Sequence, residues 1–262
     1  MTDAKMTSMN SSNKDTTLNY TEFSDPRLVA LYDKLNPFGD DSEFFCKQIE
    51  KLGARTVIDL GCGTGLLTCV LAKRGYEMTG IEPSAAMLEI ARGKPYADQI
   101  KWIQGSFEQM KGLRADMVLM TSHVAQFFLE DKEWQAMLKA AHHALKPGGH
   151  FVFDIRRLTN PPFVRWPTED NRRTLKDTDA GSVERWFTLI RREGKRVRYE
   201  LHYFFVQSGE EVVSVNELVF RSQEDITHEL SDAGFTVETV YGDWDGSLAN
   251  PTSPEMIFVA KK

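Results

Sequence analysis

Cysteine is scarce in this chain of 262 residues: Cys46, Cys62 and Cys69 are the only three, and no two of them form a C-x-x-C pair. A disulfide framework and a cysteine-based metal centre are excluded as organising devices, so the thiols are expected to stay reduced and no metal is expected. Glycine and proline are modest too, at 18 and 10 residues, which excludes collagenous and low-complexity chains. No apolar run approaches the roughly 18 residues of a membrane-spanning helix. The first twenty residues have no apolar centre, so a secretory signal is not expected either, and the expected location is the cytoplasm, away from any membrane. What remains is an ordinary globular composition, 41% hydrophobic and 27% charged, enough to bury one large core with an elaboration.

An overall excess of positive charge is also missing. The net charge is −6, which argues against a general nucleic-acid binder, since such proteins are usually basic. The charge is unevenly spread: between Arg156 and Arg198, 12 Lys/Arg face 6 Asp/Glu, a local +6 that leaves −12 for the rest. Such a run is either a solvated face or a basic rim that attracts an anionic substrate.

Patterning divides the chain. Residues 1–20, rich in Ser, Thr and Asn, read as a mobile tail. Ser24-Asp25-Pro26 starts a helix carrying Leu28, Leu31, Tyr32 and Leu35 at helical spacing, and a second helix is expected from Asp41 to Leu52 before Gly53. Strands and helices then alternate: strands over Thr56–Leu60, Glu77–Glu82, Ile100–Gln104, Asp116–Thr121 and Gly149–Ile155, and helices over Gly65–Arg74, Ser84–Arg92 and Glu133–Leu145. This is the pattern of βαβ units on a parallel sheet. After Asn160-Pro161-Pro162 come three long alternating segments, Val183–Arg192, Arg196–Gln207 and Glu211–Arg221, which predict an antiparallel meander. Ser222 caps a further helix that ends at Gly234, and strands over Thr236–Tyr241 and Glu255–Ala260 close the chain.

The most informative segment is Val57-Ile58-Asp59-Leu60-Gly61-Cys62-Gly63-Thr64-Gly65, an apolar strand entering a loop with three glycines. Glycine lets the backbone turn tightly and approach a ligand. A dinucleotide fingerprint needs glycine where Leu66 stands, and a phosphate loop needs a lysine that is not there. Asp59 at the strand end would repel a pyrophosphate but attract an ammonium or sulfonium group. Seventeen positions after Gly65, Glu82 ends the next strand, where a carboxylate can accept hydrogen bonds from both hydroxyls of a ribose. A cationic amino-acid end and a ribose together describe S-adenosylmethionine better than a nicotinamide or flavin.

Together with Gly80–Arg92, Gly105-Ser106-Phe107, Asp116–Thr121, Leu145-Lys146-Pro147-Gly148-Gly149 and Ala233-Gly234-Phe235, these residues make the chain resemble a class I S-adenosylmethionine-dependent methyltransferase of the small-molecule type, over Leu28–Lys262. The resemblance implies an α/β fold: a Rossmann-like, doubly wound seven-stranded sheet, last strand antiparallel, with an inserted antiparallel β-meander. It implies that Gly61, Cys62, Gly63 and Gly65 line the methionine end, that Asp59 orients its ammonium and Glu82 holds the ribose, and that Pro83 and Met87 pack on the adenine. Thr121, Ser106 and Phe107 are further expected cofactor contacts, the last two in the third-strand loop where relatives usually present an acid to the adenine amino group. The implied organisation is a helical lid over 21–52, a cofactor core over 53–160 and 222–262, and an insertion over 161–221 roofing the acceptor.

At the end of the fourth strand, His123 is a candidate acid/base and Gln126 a candidate acceptor contact, with Tyr32 closing from the lid as a second catalytic candidate. Trp166, Arg172, Arg173, Trp186, Tyr199, Tyr203 and Phe204 give the insertion the aromatic and basic character of an acceptor roof or a homodimer interface. The reading is therefore a methyl transfer to N or O of a small-molecule acceptor. Methylation of tRNA, rRNA or protein, and binding of S-adenosylmethionine without turnover, are the alternatives.

Overall fold

The computed structural model describes residues 17–158 and 172–262. Five strands alternate with helices in the first half: β1 (Thr56–Leu60), β2 (Glu77–Glu82), β3 (Lys101–Gln104), β4 (Ala115–Met120) and β5 (Leu145–Arg156). The last two of the main sheet are β10 (Thr236–Tyr241) and β11 (Glu255–Lys261). They form one seven-stranded sheet in the order β10-β11-β5-β4-β1-β2-β3, in which β11 runs antiparallel to both its neighbours. The strand order reverses between β1 and β4, and in open α/β sheets that crevice is where ligands bind.

Alternation along the strands builds two cores. Val57, Met117, Leu119 and Val152 face helices α3 (Asp40–Lys51) and α4 (Leu66–Lys73), where Phe45, Ile49 and Leu71 close the layer. Ile58, Val118, Phe151 and Phe153 face helices α6 (Asp131–Ala144) and α7 (Gln223–Asp232), around the fully buried Trp134. Ser222 caps α7 by accepting from the Asp225 backbone N at 3.0 Å.

The inserted sheet has four strands, in the order β6 (Arg173–Thr178), β7 (Gly181–Glu193), β8 (Arg196–Phe205) and β9 (Glu210–Val219). The pattern predicted three; β6 escaped because Arg173-Thr-Leu-Lys-Asp-Thr178 shows no apolar face, its residues being mostly exposed. Burial alternates strictly along β8, so Val197, Tyr199, Leu201, Tyr203 and Phe205 share one face.

Three N-terminal expectations are corrected. The tail ends earlier than residue 20: Asn19 and Tyr20 donate from their backbone N to the Val215 carbonyl, and Asn19 Oδ1 accepts from Val215 N at 2.8 Å. The single helix after Ser24 is two short ones, α1 (Pro26–Val29) and α2 (Tyr32–Leu35), because Leu28 and Leu31 are drawn into the core of the inserted sheet while α2 turns toward the Gly-rich loop. The stretch 40–51 is not lid but core, packed on the main sheet. Residues 1–16, and Trp166 with its neighbours, lie outside the described residues. Among those described, no helix is long and apolar enough to cross a membrane.

Candidate active site

The Gly-rich loop leaves β1 with Gly61, Gly63 and Gly65 all in left-handed backbone, at φ 77°, 54° and 70°. Their jobs differ. A Cβ on Gly61 would come within 2.8 Å of Val124, and one on Gly65 within 2.6 Å of Trp102, so these two permit packing. A Cβ on Gly63 would meet no protein atom within 4 Å, and Gly63 lines a large cavity, so open space lies beside its backbone. Gly65 therefore stands under Trp102 at the start of α4 and not on the ligand side, contrary to the expectation for it.

Asp59 is buried, and its Oδ2 accepts from Thr68 Oγ at 2.6 Å, whereas Oδ1 has no hydrogen-bond partner. Burial pushes its carboxyl up to about 6. A buried acceptor left unmatched beside a backbone cradle fits the ammonium of S-adenosylmethionine. Glu82 ties the next turn together, accepting from Gly63 N at 3.0 Å and from Ser84 N at 2.9 Å; burial raises its carboxyl against the pull of these two donors.

The N-terminal arm closes over this loop. Asp33 on α2 accepts from Thr64 Oγ at 2.5 Å and pairs with Lys94 at 2.6 Å, and Lys94 also donates to the Thr64 carbonyl at 2.8 Å. Ser84 Oγ, the cap of helix α5 (Ala85–Arg92), donates to the Phe23 carbonyl. Tyr32 is brought onto the cavity wall by the same arm, its hydroxyl pKa raised by burial and by Glu22 and Glu82.

A cavity of about 1150 Å³ runs from Asp59, Gly61, Cys62 and Gly63, past Thr121 and His123, to Arg185, Tyr199 and Tyr203 on the inner face of the second sheet. Tyr32, Asp59, Gly61, Cys62, Gly63, Thr121 and His123 all line this one cavity. Glu82, Pro83, Met87, Ser106 and Phe107 are not among the lining residues: Met87 is 1% exposed and Phe107 packs in the core with Phe128. Gln126 is corrected from acceptor contact to internal brace. Fully buried, it spans between Val219 O and Arg156 N through contacts of 3.5 and 3.4 Å. Of the roof residues, Arg173, Tyr199 and Tyr203 face the cavity, while Trp186 stacks on His202 on the other face, under Arg172.

Three acids in this wall were missed. Asp154 lies two residues before the end of β5 and Glu255 begins the antiparallel β11, so the register pairing Arg156 with Glu255 and Asp154 with Ile257 brings both carboxylates to one face of one sheet edge. His123 Nε2 lies 3.1 Å from Asp154 Oδ2 and 3.0 Å from Glu255 Oε2, and the His123 backbone N donates to Asp154 Oδ2 at 2.9 Å. Desolvation lifts Asp154 to about 7 and Glu255 to about 8 and holds the imidazole well below its usual range. The available signal was an acid interrupting Phe151-Val-Phe153 and another opening Met256-Ile-Phe-Val259, both at the carboxyl edge of the sheet.

The third, Glu22, is buried beneath the second sheet and raised to about 7 by desolvation. Its folded pKa lies above the ordinary 4.5, so between about pH 4.5 and pH 7 the unfolded chain has lost a proton that the folded chain retains, and stability falls as pH rises through that window. Glu22→Gln should remove this component and be more stable than the parent at pH 8 by up to about 3 kcal/mol, with little difference at pH 4.5. Urea unfolding at both values tests this; a gap that does not widen with pH counts against it.

A methyltransferase-domain family model matches residues 57–149, the stretch from β1 into β5. A Geobacillus sp. protein named as a methyltransferase is 28% identical over 222 residues, covering 82% of this chain and 88% of its own. The cypemycin N-terminal methyltransferase of Streptomyces sp. is 26% identical, covering 80% and 84%. Among solved structures, the CcbJ methyltransferase from Streptomyces caelestis superposes with a TM-score of 0.73 at 20% identity, over 90% of this chain and 96% of that one. The sugar N-methyltransferase KedS8 from Streptoalloteichus gives 0.71 at 19% identity, over 98% and 99%.

Proposed function

From the chain's membership of the class I S-adenosylmethionine-dependent methyltransferases, we propose that it methylates N or O of a small-molecule acceptor bound between the Gly-rich loop and the inserted sheet. The cofactor, when bound, supplies an electrophilic methyl group on a sulfonium. Asp59 and the backbone of Gly61–Gly63 would hold its methionine end, and Glu82 its ribose, at the neighbouring strand end.

The single observation behind the acceptor assignment is the continuous cavity from Asp59 to Arg185. The arm and the second sheet flank this cavity on two sides, and Tyr32, Tyr199 and Tyr203 give it aromatic walls of the kind that hold a small molecule. The cavity is polar at both ends, with Asp154 and Glu255 beside the loop and Arg173 and Arg185 in the roof. That arrangement suits an acceptor whose nucleophile points at the loop and whose other end is anionic. An in-line methyl displacement draws mainly on positioning and desolvation, which is the work this assigns to Tyr32, Arg185 and the roof. His123 departs from a simple acid/base, because its Nε2 is engaged by two carboxylates. Likeness in fold to the sugar N-methyltransferase KedS8 is in keeping with an acceptor of this general kind.

The test is radiolabelled methyl transfer to a panel of small amines and alcohols with and without a carboxylate or phosphate. Turnover is expected for anionic members, and turnover only with RNA or protein would overturn the reading. Arg185→Ala should raise KM for the anionic acceptor by about 10-fold or more, the effect of losing a charge-assisted contact, with cofactor affinity unchanged. An unchanged KM would remove Arg185 from acceptor recognition.

A further inference from the structure

We propose that His123, Asp154 and Glu255 form a binding site for one divalent cation of the Mn²⁺ and Mg²⁺ kind, opening onto the acceptor cavity. One ligand atom from each residue lies within 4.8 Å of the others, and two of the three separations are 3.0 and 3.1 Å. Adjacent ligands of an octahedral ion at about 2.1 Å are separated by √2 times that, roughly 3.0 Å, so the two separations from His123 Nε2 match those of neighbouring ligands on such an ion. A second observation points to a ligand: Asp154 is wholly buried, yet its Oδ1 has no hydrogen-bond partner among the described residues. A buried carboxylate oxygen with no protein donor in a polar cluster keeps its lone pairs available to a ligand.

Charge favours the cation. The two carboxylates carry −2 when a bound cation holds them ionised, Asp41 and Asp243 add to the negative field at Glu255, and Arg156, opposite Glu255 across the strand pair, offsets part of it. The ligand set also resembles a built site in its outer shell, because the His123 backbone N fixes Asp154 Oδ2. One imidazole with two carboxylates is harder than the thiolate-rich sets that select zinc, which is why Mn²⁺ or Mg²⁺ fits best. All three residues line the cavity, so the positions they leave open face the acceptor and would take an oxygen donor, a hydroxyl or a carboxylate. That last step rests on the methyl-transfer reading; the ion itself does not.

The experiment is a Mn²⁺ titration of the whole, chelator-stripped protein, following loss of the free-ion electron paramagnetic resonance signal, with calorimetry for S-adenosylmethionine on the same samples. One Mn²⁺ per chain is expected below about 1 mM, displaced by excess Mg²⁺ and weakened about 10-fold or more in Asp154→Asn and Glu255→Gln, the usual cost of losing a ligand. Should Asp154→Asn fail to fold, Glu255→Gln, at a less buried strand end, carries the test, with circular dichroism confirming the fold. No stoichiometric binding up to about 1 mM, or equal binding by the folded variants, overturns the site. Bound Mn²⁺ without any affinity for S-adenosylmethionine would refute the methyl-transfer reading and leave the ion standing, so the two failures are distinguishable.

Discussion

Gly63→Val is expected to abolish measurable S-adenosylmethionine binding, a loss of at least about 100-fold, while the chain remains folded. The first atom of the new side chain would meet no protein atom within 4 Å, so the folded protein has room for it, and on the proposed reading the space it takes is the cofactor's. One cost then falls on the complex and another on the fold. Overfilling a close contact costs roughly 1–3 kcal/mol, and Gly63 supplies backbone that a branched neighbour would shield. The left-handed φ of 54° adds a strain that the folded protein bears even without ligand, of about 1–2 kcal/mol for a non-glycine residue. Calorimetry should therefore report no binding alongside a modestly lowered melting temperature. Retained affinity would show that the loop does not approach the cofactor. Gly65→Val is the informative contrast: its side chain would strike Trp102 and should destabilise the fold.

Glu82→Ala should weaken S-adenosylmethionine by about 10- to 150-fold, the equivalent of 1.5–3 kcal/mol for hydrogen bonds to a charged group. The structure adds a second consequence. Gly63 N and Ser84 N both donate to this carboxylate, so its removal loosens the Gly-rich loop and the cap of α5 together. Glu82→Gln, which keeps one carbonyl oxygen, should lose less affinity and little stability. If both variants bind as the parent does, the ribose assignment is wrong.

Much of this chain was legible because its signals are local. Strands β1, β2 and β10 stand at the bounds their patterns predicted, since apolar runs ended by Gly or a turn allow few alternatives. The Ser222 cap and the β8 alternation are likewise written within a few residues. Asp59 with Gly61 and Gly63 was readable for the same reason: strand, acid and glycines adjoin in sequence as they do in space. The adenosine side was less so. Met87 and Phe107 look the same in a sequence whether they face a ligand or a core, and here they are buried in the protein.

By itself, then, the sequence determined the class of the fold, the βαβ order, the existence of an inserted antiparallel sheet, and a loop suited to a cationic nucleoside. Each of these depends on residues within a turn or two of one another. Only the tertiary structure decided that α1 and the second sheet share one core through Leu28 and Leu31, that Asp33 latches the arm to Thr64 and Lys94, and that Asp154 and Glu255 meet at His123. Asp154 and Glu255 are about a hundred residues apart, and what joins them is the antiparallel register of β11 on β5. Register is a cooperative property of paired strands, fixed by which faces must be buried, and no local pattern in either strand states it.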